Sequence, residues 1–96
     1  MLIHIVVWKY KDETPEVERR EHIERLRALQ GVIPEILEFE VGRDVLRIER
    51  SYDTGLVATF ADLEALEAYT VHEAHQAVAS MGKRISEHVA SVDFPT

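Results

Sequence analysis

The sequence predicts an α+β fold whose elements follow in the order β-α-β-β-α-β. Four segments are rich in β-branched and aromatic residues, which favour strands; they span residues 2–10, 36–42, 56–60 and 88–94. The stretches after the first and third of these segments repeat apolar residues every three or four positions, which is the period of a helix. A chain of 96 residues suits one small domain, so residues 1–96 are taken as a single unit.

Strand one is followed by a helix that we expect to run to about Gln30. Within the segment KDETPEVE, Thr14 suits an N-cap and Pro15 suits the first helical position. Gly31 and Pro34 then end the helix and turn the chain.

The second strand alternates, so that Leu37, Phe39 and Val41 share one face. It leads into the polar stretch RDVLRIERSYDTG, which we expect to be a mobile loop before the third strand, LVATF. Asp62 then suits the N-cap of a second helical region. That region is expected in two pieces, because the β-branched pair Thr70–Val71 interrupts it.

This element order in so short a chain is typical of the ferredoxin-like arrangement, an antiparallel four-stranded sheet with helices on one side. Strand one is apolar on both faces, one with Ile3, Ile5 and Val7 and the other with Leu2, His4, Val6, Trp8 and Tyr10. The helices cover only one face, and each large apolar side chain left in water costs roughly 1.5–3 kcal/mol. We take the Trp8 face as the uncovered one. The sequence therefore predicts a homodimer in which two sheets face each other and close an α+β barrel.

Polar residues on the strands are candidates for lining a small-molecule pocket in or beside this barrel. His4 and Trp8 lie on the same face of strand one, where His4 is surrounded by apolar residues. The pocket also contains a glutamate of strand two, Thr59 and Asp93 if their side chains point into the barrel. Alternation alone leaves open which side each of them faces. Pockets with several converging polar groups commonly bind small molecules. The alternative is that His4 and Asp93 satisfy each other within the core.

The segment EAYTVHEAHQAV holds Tyr69, His72 and His75. On an unbroken helix the first and last of these would lie about 120° apart. An imidazole near neutral pKa can take a proton α to a carbonyl, and a phenol can donate a hydrogen bond to the developing enolate oxygen. Asp93 could orient one of the histidines. The structural alternative is that Tyr69 fills the core, His72 caps the second helical piece and His75 packs at a rim.

Metal and cofactor sites are not expected. The spacing in HEAH misses the zinc motif HExxH by one residue, and the chain has no cysteine and no glycine-rich phosphate loop. Two histidines three residues apart could still help hold a divalent ion with Asp93 or His4. His22 and His88 have no comparable neighbours in the sequence, and we expect both at the surface.

The charge balance disfavours two classes of partner. A formal net charge of −7 opposes binding to nucleic acid and to anionic membranes. No apolar run approaches the ~20 residues that span a bilayer, and the apolar start lacks a basic leader. We therefore expect a cytoplasmic protein with no nucleic-acid or membrane partner.

Four segments in register resemble the stress-responsive A/B barrel (Dabb) family. They are MLIHIVVWKYKDET, VIPEILEFEVGRDV, LEAYTVHEAHQAV and VDF. The resemblance covers nearly the whole chain and implies a dimeric α+β barrel. The chain departs from the family's Tyr-x-x-His-Pro-x-His pattern at Glu73, where proline is usual, and this change would let the two helical pieces join more smoothly.

The resemblance extends to a plant branch of the family that closes polyketide rings by aldol-type chemistry without a cofactor. The acid–base positions of that branch fall on Tyr69 and His75, and its other polar pocket positions fall on His4, His72 and Asp93. If the protein is an enzyme, the resemblance thus implies a cofactor-independent cyclase, isomerase or lyase. The alternatives are a ligand-binding protein without catalysis, or a stress-related dimeric scaffold whose barrel is filled.

Overall fold

Four strands and three α-helices follow one another in the predicted order, in a computed structural model that describes residues 1–96. The strands are β1 (Leu2–Tyr10), β2 (Glu38–Arg43), β3 (Thr54–Phe60) and β4 (Ser86–Pro95). The helices are α1 (Glu16–Ala28), α2 (Leu63–Val71) and α3 (Glu73–Ile85), and a 3₁₀ turn (Leu29–Gly31) extends α1.

The strands form one antiparallel sheet in the order β2-β3-β1-β4, with the helices packed on one face. In this register Ile5 of β1 lies beside Val57 of β3 and Val92 of β4. The predicted ferredoxin-like fold class is confirmed. None of the helices combines the length and the apolar character that crossing a bilayer requires.

The start of α1 differs from the sequence-based expectation. Pro15 occupies the cap position with an extended backbone, and no side chain caps the helix. The Thr14 hydroxyl instead donates a hydrogen bond to the carbonyl of Ile85 at 2.9 Å. Thr14 therefore connects the segment before α1 to the end of α3, and the predicted cap at this residue is wrong.

The break between α2 and α3 falls at His72, directly after the Thr70–Val71 pair. His72 has an extended backbone, with φ −62° and ψ 134°, and its Nδ1 accepts a hydrogen bond from the Ala74 amide at 3.0 Å. The expectation that His72 caps the second helical piece is thus confirmed. Asp62 likewise caps α2, because its side chain accepts from the Ala65 amide.

The two faces of β1 are both apolar, but the face that the helices cover is the opposite of the expected one. Trp8 and Tyr10 are buried under the helices, with 7% and 2% of their surface exposed. The uncovered face, called the open face below, carries seven apolar side chains across β1, β3 and β4. These are Ile3, Ile5, Val7, Val57, Ala90, Val92 and Phe94.

His22 is fully buried, so the expectation that it lies at the surface is wrong. Its Nδ1 donates to the Tyr10 hydroxyl oxygen at 2.8 Å, because that hydroxyl donates its own proton to Thr54 Oγ1, also at 2.8 Å. The other ring nitrogen, Nε2, has no hydrogen-bond partner. Burial, reinforced by the nearby charge of Arg25, lowers the pKa of His22 to about 4. His22 is therefore neutral in the folded chain at pH 7.

Acid is expected to destabilise the fold through His22. Its folded-state pKa lies below the ordinary value of 6.5, so the unfolded chain binds the proton first as the pH falls. The resulting stability is complete above about pH 6.5 and is lost between there and pH 4, by roughly 2–3 kcal/mol. Urea unfolding at pH 7 and pH 5 measures the part of this loss that falls between those pH values, roughly 2 kcal/mol. A His22→Gln variant should show a clearly smaller difference between the two pH values, and an equal difference would contradict this assignment.

Candidate functional site

Three of the predicted site residues come together between the sheet and the α2–α3 break. The ring centroids of Tyr69 and His75 are 4.3 Å apart, and those of His4 and Tyr69 are 5.9 Å apart. Phe60 and Phe39 also pack edge-on or tilted against Tyr69, at centroid distances of 5.0 and 6.3 Å. These five residues form what we call the Tyr69 cluster.

The helix break brings Tyr69 and His75 together. Tyr69 lies in the last turn of α2 and His75 in the first turn of α3, with the extended residue His72 between the helices. The Nδ1 of His75 reaches back across the break and donates to the carbonyl of Thr70 at 3.0 Å. This bond assigns the proton to Nδ1 and leaves Nε2 as an unprotonated nitrogen, which is the form that can act as a base.

The two rings have complementary protonation states at neutral pH. Tyr69 is 1% exposed, and burial raises the pKa of its phenol with no opposing hydrogen bond or charge, so it remains a proton donor. Burial is also the main cause that lowers the pKa of His75, and the bond to the Thr70 carbonyl opposes it in part. His4 and His72 lower it further. A neutral imidazole thus lies against a protonated phenol.

His4 enters the cluster from β1 and is held by Asp93. The two residues face each other in the β1–β4 register, and Nδ1 of His4 pairs with Oδ1 of Asp93. The side chain of His4 is 14% exposed and that of Asp93 is 37% exposed, so the pair lies at the margin of the cluster. Asp93 therefore orients His4 and not His75.

Two other predicted pocket residues lie away from the cluster. Thr59 faces the open side of the sheet beside Ile3, because residues paired in register share a face. Trp8 lies on the helix side but packs against His22, with ring centroids 5.0 Å apart. Thr59 and His4 therefore lie on opposite faces of the sheet, and the strand register excludes a pocket that contains both.

Phe39 and Phe60 were not singled out as site residues from the sequence. Both lie on the helix-covered face, where Phe39 pairs with Ala58 and Phe60 pairs with Leu2. The sequence offered one signal for Phe39 as a buried residue, namely that it shares a face of the second strand with Val41. Their proximity to Tyr69 depends on the sheet order, which places β3 between β2 and β1.

His88 is exposed as expected, although it has a partner. Its Nδ1 lies 2.7 Å from the hydroxyl of Tyr52, in the loop between β2 and β3. No three His, Cys, Asp or Glu side chains are grouped in a way that could hold a metal ion.

An extended groove lies on the open face and not at the Tyr69 cluster. It has a volume of about 680 Å³ and is lined by the apolar residues Ile5, Val7 and Val57 together with Arg50 and Tyr52 of the β2–β3 loop. The glycines Gly42 and Gly55, which face each other across β2 and β3, add no side chains to its floor.

The chain is similar to proteins of one family along almost its whole length. The family model described as the stress responsive A/B barrel domain matches residues 2–96. Olivetolic acid cyclase from Cannabis sativa is 27% identical over 93 residues, which cover 95% of this chain and 92% of the cyclase.

Solved structures share the fold. A dimeric ferredoxin-like protein of unknown function from Thermobifida fusca has a TM-score of 0.90 at 23% identity, over 99% of this chain and 90% of that one. A dimeric ferredoxin-like protein of unknown function from Jannaschia sp. has a TM-score of 0.84 at 28% identity, over 99% and 98% of the two chains. The family predicted from the four sequence segments is confirmed: this chain belongs to the stress responsive A/B barrel (Dabb) family.

Proposed function

We propose that the protein is a homodimer that binds a small carbonyl compound at the Tyr69 cluster and performs cofactor-free acid–base chemistry on it, in the manner of a polyketide cyclase. The observation that carries this proposal is the contact between Tyr69 and His75 across the helix break, with Nε2 of His75 unprotonated. The similarity to olivetolic acid cyclase supports the same class of reaction.

The chemistry needs only the two side chains. His75 Nε2 removes a proton from the carbon α to a carbonyl, while the Tyr69 hydroxyl donates a hydrogen bond to the enolate oxygen that develops. The enolate carbon then attacks a second carbonyl of the same substrate, forming the new carbon–carbon bond. The protonated His75 returns its proton to the resulting alkoxide, so that the enzyme ends in its starting state.

His4 and Asp93 act as positioning residues in this proposal. The Asp93 carboxylate holds the His4 imidazole, whose ring meets Tyr69 edge-on. This contact limits the orientations that the phenol can take. The neighbouring Phe39 and Phe60 rings, which are 9% and 0% exposed, pack against Tyr69 and so help to fix its ring.

Dimerisation through the open face is the second part of the proposal. Three of its apolar side chains remain 39% to 53% exposed in one chain: Val57, Phe94 and Val92. A second copy that covers this face removes them from water and closes the barrel. The dimeric ferredoxin-like relative from Jannaschia sp. supports this assembly.

Proton abstraction can be tested without knowing the natural substrate. A 3-oxo ester in D₂O exchanges its α-protons, and NMR follows the rate with and without protein. We expect His75→Gln to lower the catalysed exchange by roughly 10²–10⁴-fold, the usual contribution of a general base. Tyr69→Phe should lower it as well. His88→Gln, at an exposed histidine bonded to Tyr52 and not to the cluster, should leave it unchanged.

The alternative is a ligand-binding or scaffold protein without catalysis. The rings of the Tyr69 cluster pack closely against one another, and the open groove of about 680 Å³ includes none of them. This packing favours the alternative, because it leaves little room for a substrate beside Tyr69 and His75. If the wild-type protein exchanges no faster than His75→Gln, the catalytic proposal fails. A thermal shift with olivetolic acid that disappears in Tyr69→Phe would then favour binding alone.

A further inference from the structure

The loop between β2 and β3, residues 44–53, is held in place by hydrogen bonds at both ends. The Asp44 amide donates to the Asp53 carbonyl at 2.9 Å, and the Asp53 amide donates to the Trp8 carbonyl at 2.8 Å. The Asp53 carboxylate in turn accepts from the Tyr10 amide at 2.8 Å. The segment that the sequence predicts to be mobile is thus anchored to the end of β1.

The tip of this loop presents apolar side chains to water. Val45, Leu46 and Ile48 are 88%, 68% and 41% exposed. Arg47 between them has a positive φ of 55°, an uncommon backbone conformation for a residue with a side chain, and the Asp44 carboxylate accepts its amide proton at 2.7 Å. An anchored loop with a strained turn and exposed apolar residues indicates a docking element.

We propose that residues 44–50, called the arm below, dock on a second copy of this chain through Val45, Leu46 and Ile48. This inference rests on the dimer in the proposed function and adds a second contact to it. The arm and the open face line the same groove, in which Asp44 and Arg50 stand beside Ile5 and Val7. A molecule that covers the open face therefore also meets the arm.

The charges of the arm favour a second copy over a membrane. Arg47 and Arg50 form no salt bridge within the chain, whereas the chain as a whole carries a formal net charge of −7. Glu38 and Glu40 stand exposed on the open face. Arg47 and Arg50 can pair with these glutamates on an identical copy, whereas Asp44 and Glu49 cancel their charge within the arm, so the arm brings no net positive charge to an anionic lipid surface.

The test compares dimer dissociation constants by sedimentation equilibrium for the wild-type chain and a Val45→Ser/Leu46→Ser variant. Each substitution acts twice in a two-fold dimer, so we expect the dissociation constant to rise by about 100-fold. Val17→Ser is the matched control, because Val17 is 65% exposed but lies on α1, on the helix side. Its dissociation constant should equal that of the wild type.

The other outcomes separate the arm from the dimer itself. A wild-type chain that stays monomeric overturns the proposed dimer and the arm with it. A wild-type dimer whose dissociation constant is unchanged in the arm variant overturns the arm alone. Equal weakening by Val17→Ser would indicate non-specific association and would overturn the arm. Loss of the far-ultraviolet circular dichroism signal in the arm variant would also overturn it, because Val45 and Leu46 would then serve the fold of the single chain.

Discussion

Substituting Gly82 with valine is expected to lower the free energy of unfolding by about 2–3 kcal/mol, because α3 meets two buried rings at this residue. A Cβ atom at Gly82 would lie 2.8 Å from Nε2 of His22 and 2.9 Å from Nε1 of Trp8. Both rings are packed in the core, with 0% and 7% exposure, and they can move aside only by disturbing their neighbours. For a domain of this size the loss corresponds to a fall in Tm of roughly 8–20 °C.

Gly31→Ala is the matched control for this substitution. A Cβ atom at Gly31 meets nothing within 4 Å, and no glycine in the chain has a positive φ. The change should therefore be neutral or stabilise the fold by about 0.4–1 kcal/mol through the unfolded state. Thermal and urea unfolding at one fixed protein concentration measure both variants. Equal stability of Gly82→Val and the wild type would contradict the packing of α3 against Trp8 and His22.

Placing a lysine on the open face is expected to dissociate the dimer. Val57 lies in the middle of this face, beside Ile5, and is 39% exposed in the single chain. In Val57→Lys the new ammonium can pair with Glu40, its direct neighbour on β2, so the single chain should still fold. Between two sheets, however, two such groups would be buried close together. We expect the dissociation constant to rise by at least about 1,000-fold.

Val89→Lys controls for the general effect of a lysine on the sheet. Val89 is 43% exposed, which is close to the value for Val57, but it pairs with Trp8 and so lies on the helix side of β4. This variant should remain as dimeric as the wild type in size-exclusion chromatography. Dissociation by both variants, or by neither, would count against an interface on the open face.

The element order could be predicted from the sequence because strand and helix periods alternate clearly along the chain. The choice of covered face could not, because β1 is apolar on both sides. What decides it is a set of contacts between distant residues: the hydrogen bonds that join Tyr10 to His22 and to Thr54, and the close approach of Gly82 to Trp8. For the same reason His22, within a charged helical run, looked like a surface residue.

The candidate site was predictable in residue type more than in geometry. Tyr69, His72 and His75 were recognisable from their spacing, but the contact of the first with the last depends on the extended backbone at His72. The pairing of His4 with Asp93 was one of two alternatives, and the strand register decides it. Thr59 could not be assigned to a face before the sheet order was known.

The proposed dimer and its arm both depend on the covering of the open face by a second copy. Sedimentation equilibrium of the wild-type chain at micromolar concentration tests this directly. We expect a species of twice the 11.0 kDa chain mass. A folded species with the mass of one chain would contradict it, since Val57, Val92 and Phe94 would then remain in water with nothing to cover them.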